Sequence, residues 1–150
     1  MAFTRMFLER CADNTMIKLV LIGVVIDTVF GVMRAIKWRK FNSSVGIDGA
    51  IRKGGMILSL VFFQAIDILV HFNLIRFIPE EIRSYIGGQI GLTEFFAILY
   101  IAYEVTSILK NMALCGLPVK HIWEAVSKFL HNYTDELPDA DELDKKKHTQ

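Results

Sequence analysis

Residues 16–36, MIKLVLIGVVIDTVFGVMRAI, and residues 37–55, KWRKFNSSVGIDGAIRKGG, decide how this chain is read. The first stretch is apolar and, at 1.5 Å per helical residue, long enough to cross a hydrocarbon core of roughly 30 Å. Asp27 sits near its middle, where an acid costs roughly 2.5–3.5 kcal/mol on insertion scales. Gly23, Asp27 and Gly31 recur at i, i+4 and i+8, one small-polar stripe that lets another backbone approach. The second stretch carries Lys37, Arg39, Lys40, Arg52 and Lys53 against the single Asp48. Its Asn, Ser and Gly residues read as a returning turn, and without GxxxxGK[ST] it is not a phosphate-binding loop.

The pattern recurs. A second span is expected over about 56–75, where Gln64, Asp67 and His71 follow at i, i+3 and i+7. A third is expected over about 92–110, with Tyr100, Glu104, Ser107 and Asn111 stepping by three and four. Each span thus carries a deep acid on a polar stripe. Residues 1–15 suit a short interfacial segment, with Asn14 or Thr15 capping the helix that follows. Residues 119–133 space Val119, Ile122, Trp123, Val126, Phe129, Leu130 and Tyr133 by three and four, an amphipathic helix lying on a surface, either the bilayer or a neighbouring subunit. The charged tail 134–150 is expected to be disordered. The organisation read from sequence is therefore 1–15, a membrane domain over 16–118, the helix at 119–133 and the tail.

Composition agrees. Residues are 53% hydrophobic and the mean hydropathy is +0.38. Six of the sixteen acids follow Tyr133, so the near-neutral total hides a basic membrane body. The basic residues cluster beside apolar spans rather than along a soluble face, which argues against nucleic-acid binding. Cys11 and Cys115 lack metal or redox spacing. The apolar run at 16–36 holds an acid and ends in basic residues with no cleavage site, so it is not read as a signal peptide. No nucleophile–base set or metal-ligand set is visible, so neither an enzyme nor a cofactor is expected. The five Lys/Arg in 37–55, against two in 76–91, place that loop in the cytoplasm, with the N-terminus outside and the C-terminus inside.

The fold class expected is an all-α integral membrane protein with three spans and a C-terminal amphipathic helix, acting as a homo-oligomer. Oligomerisation lets polar stripes face each other or a water-filled lumen, which lowers the cost of the acids. From the residues alone the stripes fit helix–helix glue, a small ion or proton channel, or the subunit interface of a large lesion.

From about Ile17 to Val119 the chain resembles phage holins of the toxin-secretion/phage-lysis family, and within it the clostridial holin-like branch of large-toxin loci. The residues that carry the resemblance include Asp27-Thr28 with Gly31, Ala35-Ile36-Lys37, Arg39 to Ser44, Gly46-Ile47-Asp48-Gly49 and Ile51-Arg52-Lys53. Asp67-Ile68-Leu69, Glu94-Phe95-Phe96, Tyr103-Glu104 and Ser107 to Met112 follow, leading into Leu114 to Val119. The resemblance implies a small multi-pass protein of the bacterial cytoplasmic membrane that oligomerises into non-selective lesions, releasing a large toxin or a phage endolysin. Its partners would be itself, the bilayer and that cargo. Members of that family often have two starts; here Met1 and Met6, separated by Arg5, fit either a pair of starts or two ordinary methionines. Where relatives continue Pro-Val-Pro, this chain has Pro118-Val119-Lys120. The pore or interface positions are then Gly23, Asp27, Gly31, Gln64, Asp67, His71, Tyr100, Glu104 and Ser107, with Lys37, Arg39, Lys40, Arg52 and Lys53 setting topology.

Overall fold

The computed structural model describes residues 2–39, 43–77, 80 and 90–131, and every regular element among them is helical. The order is α1 (Ala2–Asp13), α2 (Thr15–Lys37), α3 (Ser43–Val70), a 3-10 turn (Leu74–Phe77), α4 (Leu92–Leu114) and α5 (Lys120–His131). Among the described residues three helices are long and apolar enough to cross a membrane: Thr15–Lys37, Gly46–Val70 and Leu92–Leu114. The expected tail at 134–150, and Lys40, lie outside the described residues.

The ends of α2 and the close of α4 have named causes. Asn14 caps α2: its Oδ1 accepts the amides of Met16 at 2.9 Å and Ile17 at 3.2 Å. Arg39, at φ 49°, turns the chain out of α2. Helix α4 closes in a Schellman motif, with Gly116 N–H donating to Ala113 O and Leu117 N–H to Met112 O. Gly116 sits at φ 80°, the left-handed conformation that this motif requires. Pro118 then follows at the place where a helix cannot continue.

Two sequence expectations are corrected. The turn expected over 37–55 is mostly helix, because α3 already begins at Ser43. Glycine costs roughly 1 kcal/mol per helical position relative to alanine. An open backbone in hydrocarbon costs several kcal/mol for each unsatisfied group, so the helix persists through Gly46, Gly49, Gly54 and Gly55. Arg52 and Lys53 therefore stand on a helix and not in a loop. The second span also ends sooner than 75: α3 stops at Val70 and His71 adopts φ 53°. His71 is exposed and off the helix, so it does not extend the stripe of Gln64 and Asp67.

The chain divides into two compact units. The first draws on residues 1–25 and 42–103, the second on 26–41 and 104–150. In the first unit Ile17 and Val20 of α2, Leu60 of α3 and Ala97 of α4 form a buried cluster, joined by Met16, Val24, Phe96, Tyr100 and Ile101. Phe63 stacks on Phe96 with ring centroids 4.3 Å apart. Large apolar side chains such as Leu21, Ile22, Leu58 and Phe62 point outward. In water that arrangement would expose an apolar surface far beyond an ordinary patch. Against lipid tails it is the matched one.

Candidate functional site: polar clusters inside the membrane domain

In the first unit the polar residues converge where α2 begins, α3 ends and α4 begins. Asp67, on the last turns of α3, caps α4 from a distance. Its Oδ1 accepts the amide of Leu92 at 2.9 Å, and its Oδ2 accepts the amide of Thr93 at 2.9 Å and the Thr93 hydroxyl at 2.6 Å. These are orphan donors of a helix N-terminus, and the helix dipole favours a carboxylate there. A Cβ at Gly91 would lie only 2.5 Å from Asp67 Oδ2, so glycine is what admits the carboxylate. Glu94, three residues on, reaches back to accept the Gly91 amide at 2.8 Å, which is half of a capping box.

Asn14 ties the three helix ends together. While its Oδ1 caps α2, its Nδ2 donates to Gln64 Oε1 at 2.8 Å and to Glu94 Oε1 at 3.0 Å. Gln64 is thereby buried with a partner. The cluster floors a cleft of about 870 Å³ that Arg10, His71, Phe72 and Arg76 also line.

Further along the same unit, Lys53 donates from Nζ to the carbonyl of Val24 in α2, at 3.1 Å. Arg52 lies over the Tyr103 ring, 5.3 Å from its centroid. Ser59 and Tyr100 share a hydrogen bond of 2.8 Å. Tyr100 is therefore an interior residue of this unit, and Gly23 is half-buried beside Val24.

The second unit holds the two other deep acids. Asp27 is 7% exposed and accepts from Asn111 Nδ2 at 2.8 Å. Glu104 is 1% exposed. Ser107, between Glu104 and Asn111 in sequence, is half-buried. Gly31 lies near this pair, but a Cβ there would sit 3.9 Å from Asn111 Nδ2, an ordinary contact. Close approach at Gly31 is therefore not sterically obligatory within the chain. Asn111 Oδ1 is buried and has no hydrogen-bond partner among the described residues, a state that costs about 1–3 kcal/mol.

At the end of α4, Lys37 Nζ donates to the Cys115 carbonyl at 2.5 Å and Trp38 Nε1 to the Leu114 carbonyl at 3.2 Å. A cation there satisfies orphan carbonyls and complements the helix dipole. Lys37 thus closes a helix as well as adding charge to that end.

These clusters are built to satisfy polar groups in a low-dielectric setting. Among the described residues no group of His, Cys, Asp and Glu comes together that would hold a metal ion. Sequence reasoning missed the distal cap by Asp67 and the tie from Lys53 to Val24. The available signal for the first was Gly91 followed at the third place by Glu94, a helix start with no side chain of its own to cap it.

Residues 7–132 match the model of the bacteriophage holin family. The chain belongs to that family. It is 45% identical over 139 residues to the holin-like protein TcdE of Clostridioides difficile, covering 91% of this chain and 84% of the relative. It is also 25% identical over 112 residues to the uncharacterized protein CPE0383 of Clostridium perfringens, covering 75% and 72% respectively. No solved structure matches it. This is a holin-type membrane protein, and the family match takes in α5 as well as the three spans.

Replacing Asp67 with alanine is expected to cost about 1–2 kcal/mol, the usual loss for a helix N-cap. In detergent the amides of Leu92 and Thr93 should exchange with deuterium faster than in the parent. Gly91→Ala should give the same local signature by displacing the carboxylate. Unchanged exchange at both amides would show that Asp67 does not hold the start of α4.

Proposed function

We propose that this holin-type protein accumulates in the bacterial cytoplasmic membrane and assembles with copies of itself into non-selective lesions that release a large toxin or a phage endolysin. Family membership and the likeness to a holin-like protein support this reading. The observation that carries it is the polar interior of the second unit. Asp27 and Asn111 are buried within segments that cross the hydrocarbon, and the buried Asn111 Oδ1 lacks a donor. Water in a lumen, or a polar stripe from another copy, would supply partners that the single chain does not. The deep acids are thus held by their own chain before assembly and exchange those contacts for water or a neighbour in the lesion. The chain acts by assembly and not by catalysis, and its cargo passes through rather than binding tightly.

We further propose an N-terminus outside and a C-terminus in the cytoplasm. The excess of Lys and Arg between the first two spans favours that orientation. Arg52 and Lys53 stand on α3, and Lys53 is turned inward to Val24, so Lys37, Arg39 and Lys40 are the stronger part of that signal.

Expressed in bacteria, Asp27→Leu is expected to insert as well as the parent yet fail to permeabilise the membrane. Loss should exceed tenfold in released cytoplasmic enzyme at equal membrane abundance. A variant that permeabilises like the parent would remove Asp27 from the lesion. Orientation is read separately. A maleimide that cannot cross the membrane is expected to label Cys11 and to leave Cys115 unlabelled in intact cells. Burial pushes the Cys11 thiol above its usual range, and the thiolate is the reacting form. Labelling of Cys11 should therefore accelerate as the pH is raised. Labelling of Cys115 alone would invert the topology.

A further inference from the structure

The exposed side of α5 carries an inference of its own. At 100° per residue, Ile122, Ala125, Val126 and Phe129 fall on one arc of this helix. The residues that the protein buries are elsewhere. Trp123 is 2% exposed and Ser127 3%, and they lie roughly 100–140° round from Ile122. Ile122 and Phe129 remain 54% and 63% exposed. A serine is thus buried while an isoleucine and a phenylalanine face outward. A helix bathed in water on its open side would have the opposite arrangement.

Connectivity fixes where that open side is. Helix α4 ends at Leu114 and α5 begins at Lys120, and the intervening residues are folded back by the Schellman turn and by a bond from Val119 N–H to Leu117 O. Even fully extended, such a link reaches only about 20 Å. Helix α5 therefore leaves a membrane span at the bilayer surface. Its 12 residues measure about 18 Å, too short to cross. The charge at this end is complementary to an anionic surface. Lys128 is exposed beside the apolar arc, and Lys37, bonded to the Cys115 carbonyl, brings the basic end of α2 to the same place. Glu124 is the acid of α5 and lies 3.5 Å from Lys120.

We propose that α5 lies in the plane of the membrane, with Ile122, Ala125 and Phe129 sunk into the boundary between acyl chains and headgroups of a leaflet containing anionic lipid. Trp123 and Ser127 then hold the helix to its own protein, and Lys128 and His121 stay in the aqueous headgroup layer. The helix is a lipid-facing wedge at the foot of α4, where it fixes the depth at which that span leaves the bilayer.

The test uses the full chain in vesicles of phosphatidylethanolamine and phosphatidylglycerol, with Cys11→Ser and Cys115→Ser as background. A nitroxide is attached in turn to Ile122→Cys, Phe129→Cys, His121→Cys and Lys128→Cys. Collision with oxygen, which partitions into lipid, is compared with collision with a water-soluble nickel chelate. The expected result is an oxygen-to-nickel ratio several-fold higher at 122 and 129 than at 121 and 128. Equal ratios at all four would place the arc in water and overturn the proposal. Shielding of 122 and 129 from both reagents, with spin–spin broadening between labels, would also overturn it by assigning the face to a second copy. Because two independent positions report on the same arc, distortion at one does not decide the outcome. The readout needs no lesion activity.

Discussion

A polar group inside hydrocarbon must find a partner within the protein, and the described structure follows from that constraint. Asp67 shows the same pairing at a span end: the carboxylate gains three donors, and the first turn of α4 gains an acceptor for its orphan amides. Asn14 meets it with both ends of its amide, capping α2 while donating to Gln64 and Glu94. The ends of three helices are therefore fixed by one connected set of hydrogen bonds. Loss of Asp67 leaves the buried Thr93 without its acceptor, and loss of Asn14 leaves the buried Gln64 without its donor, which is the costly outcome.

The same constraint separates what was legible in the sequence from what was not. The three spans were visible because hydropathy is a local property and each run is long. Helix α5 was visible because its apolar residues recur at three and four. The start of α3 was not, because a run rich in Gly, Ser and Lys signals a turn in water, whereas lipid penalises any break in backbone hydrogen bonding more than it penalises glycine. His71 misled for a different reason. Its spacing from Gln64 and Asp67 continues the helical period, but the helix ends at Val70 and the period carries no information about where a helix stops. The partner of Asp67 lies 25 residues away and was not inferable from spacing.

Asp27, Asp67 and Glu104 looked equivalent on sequence grounds, and they are not. Asp67 is committed to a helix end in the first unit, with both oxygens engaged. Asp27 and Glu104 are buried in the second unit, where Asn111 brings an acceptor without a donor. A chain of this kind can be stable alone in the membrane and still gain from contact with water or with further copies. The proposal needs no binding site for cargo, since a lesion that is large enough passes whatever is near it.

The most direct measurement of that claim is the conductance of the purified chain in planar lipid bilayers. Assembly into lesions predicts large openings of variable size, a steep dependence on protein concentration, and little preference among ions or for small dyes. Small openings of uniform size with strong selectivity for one ion would contradict the account and identify a channel instead.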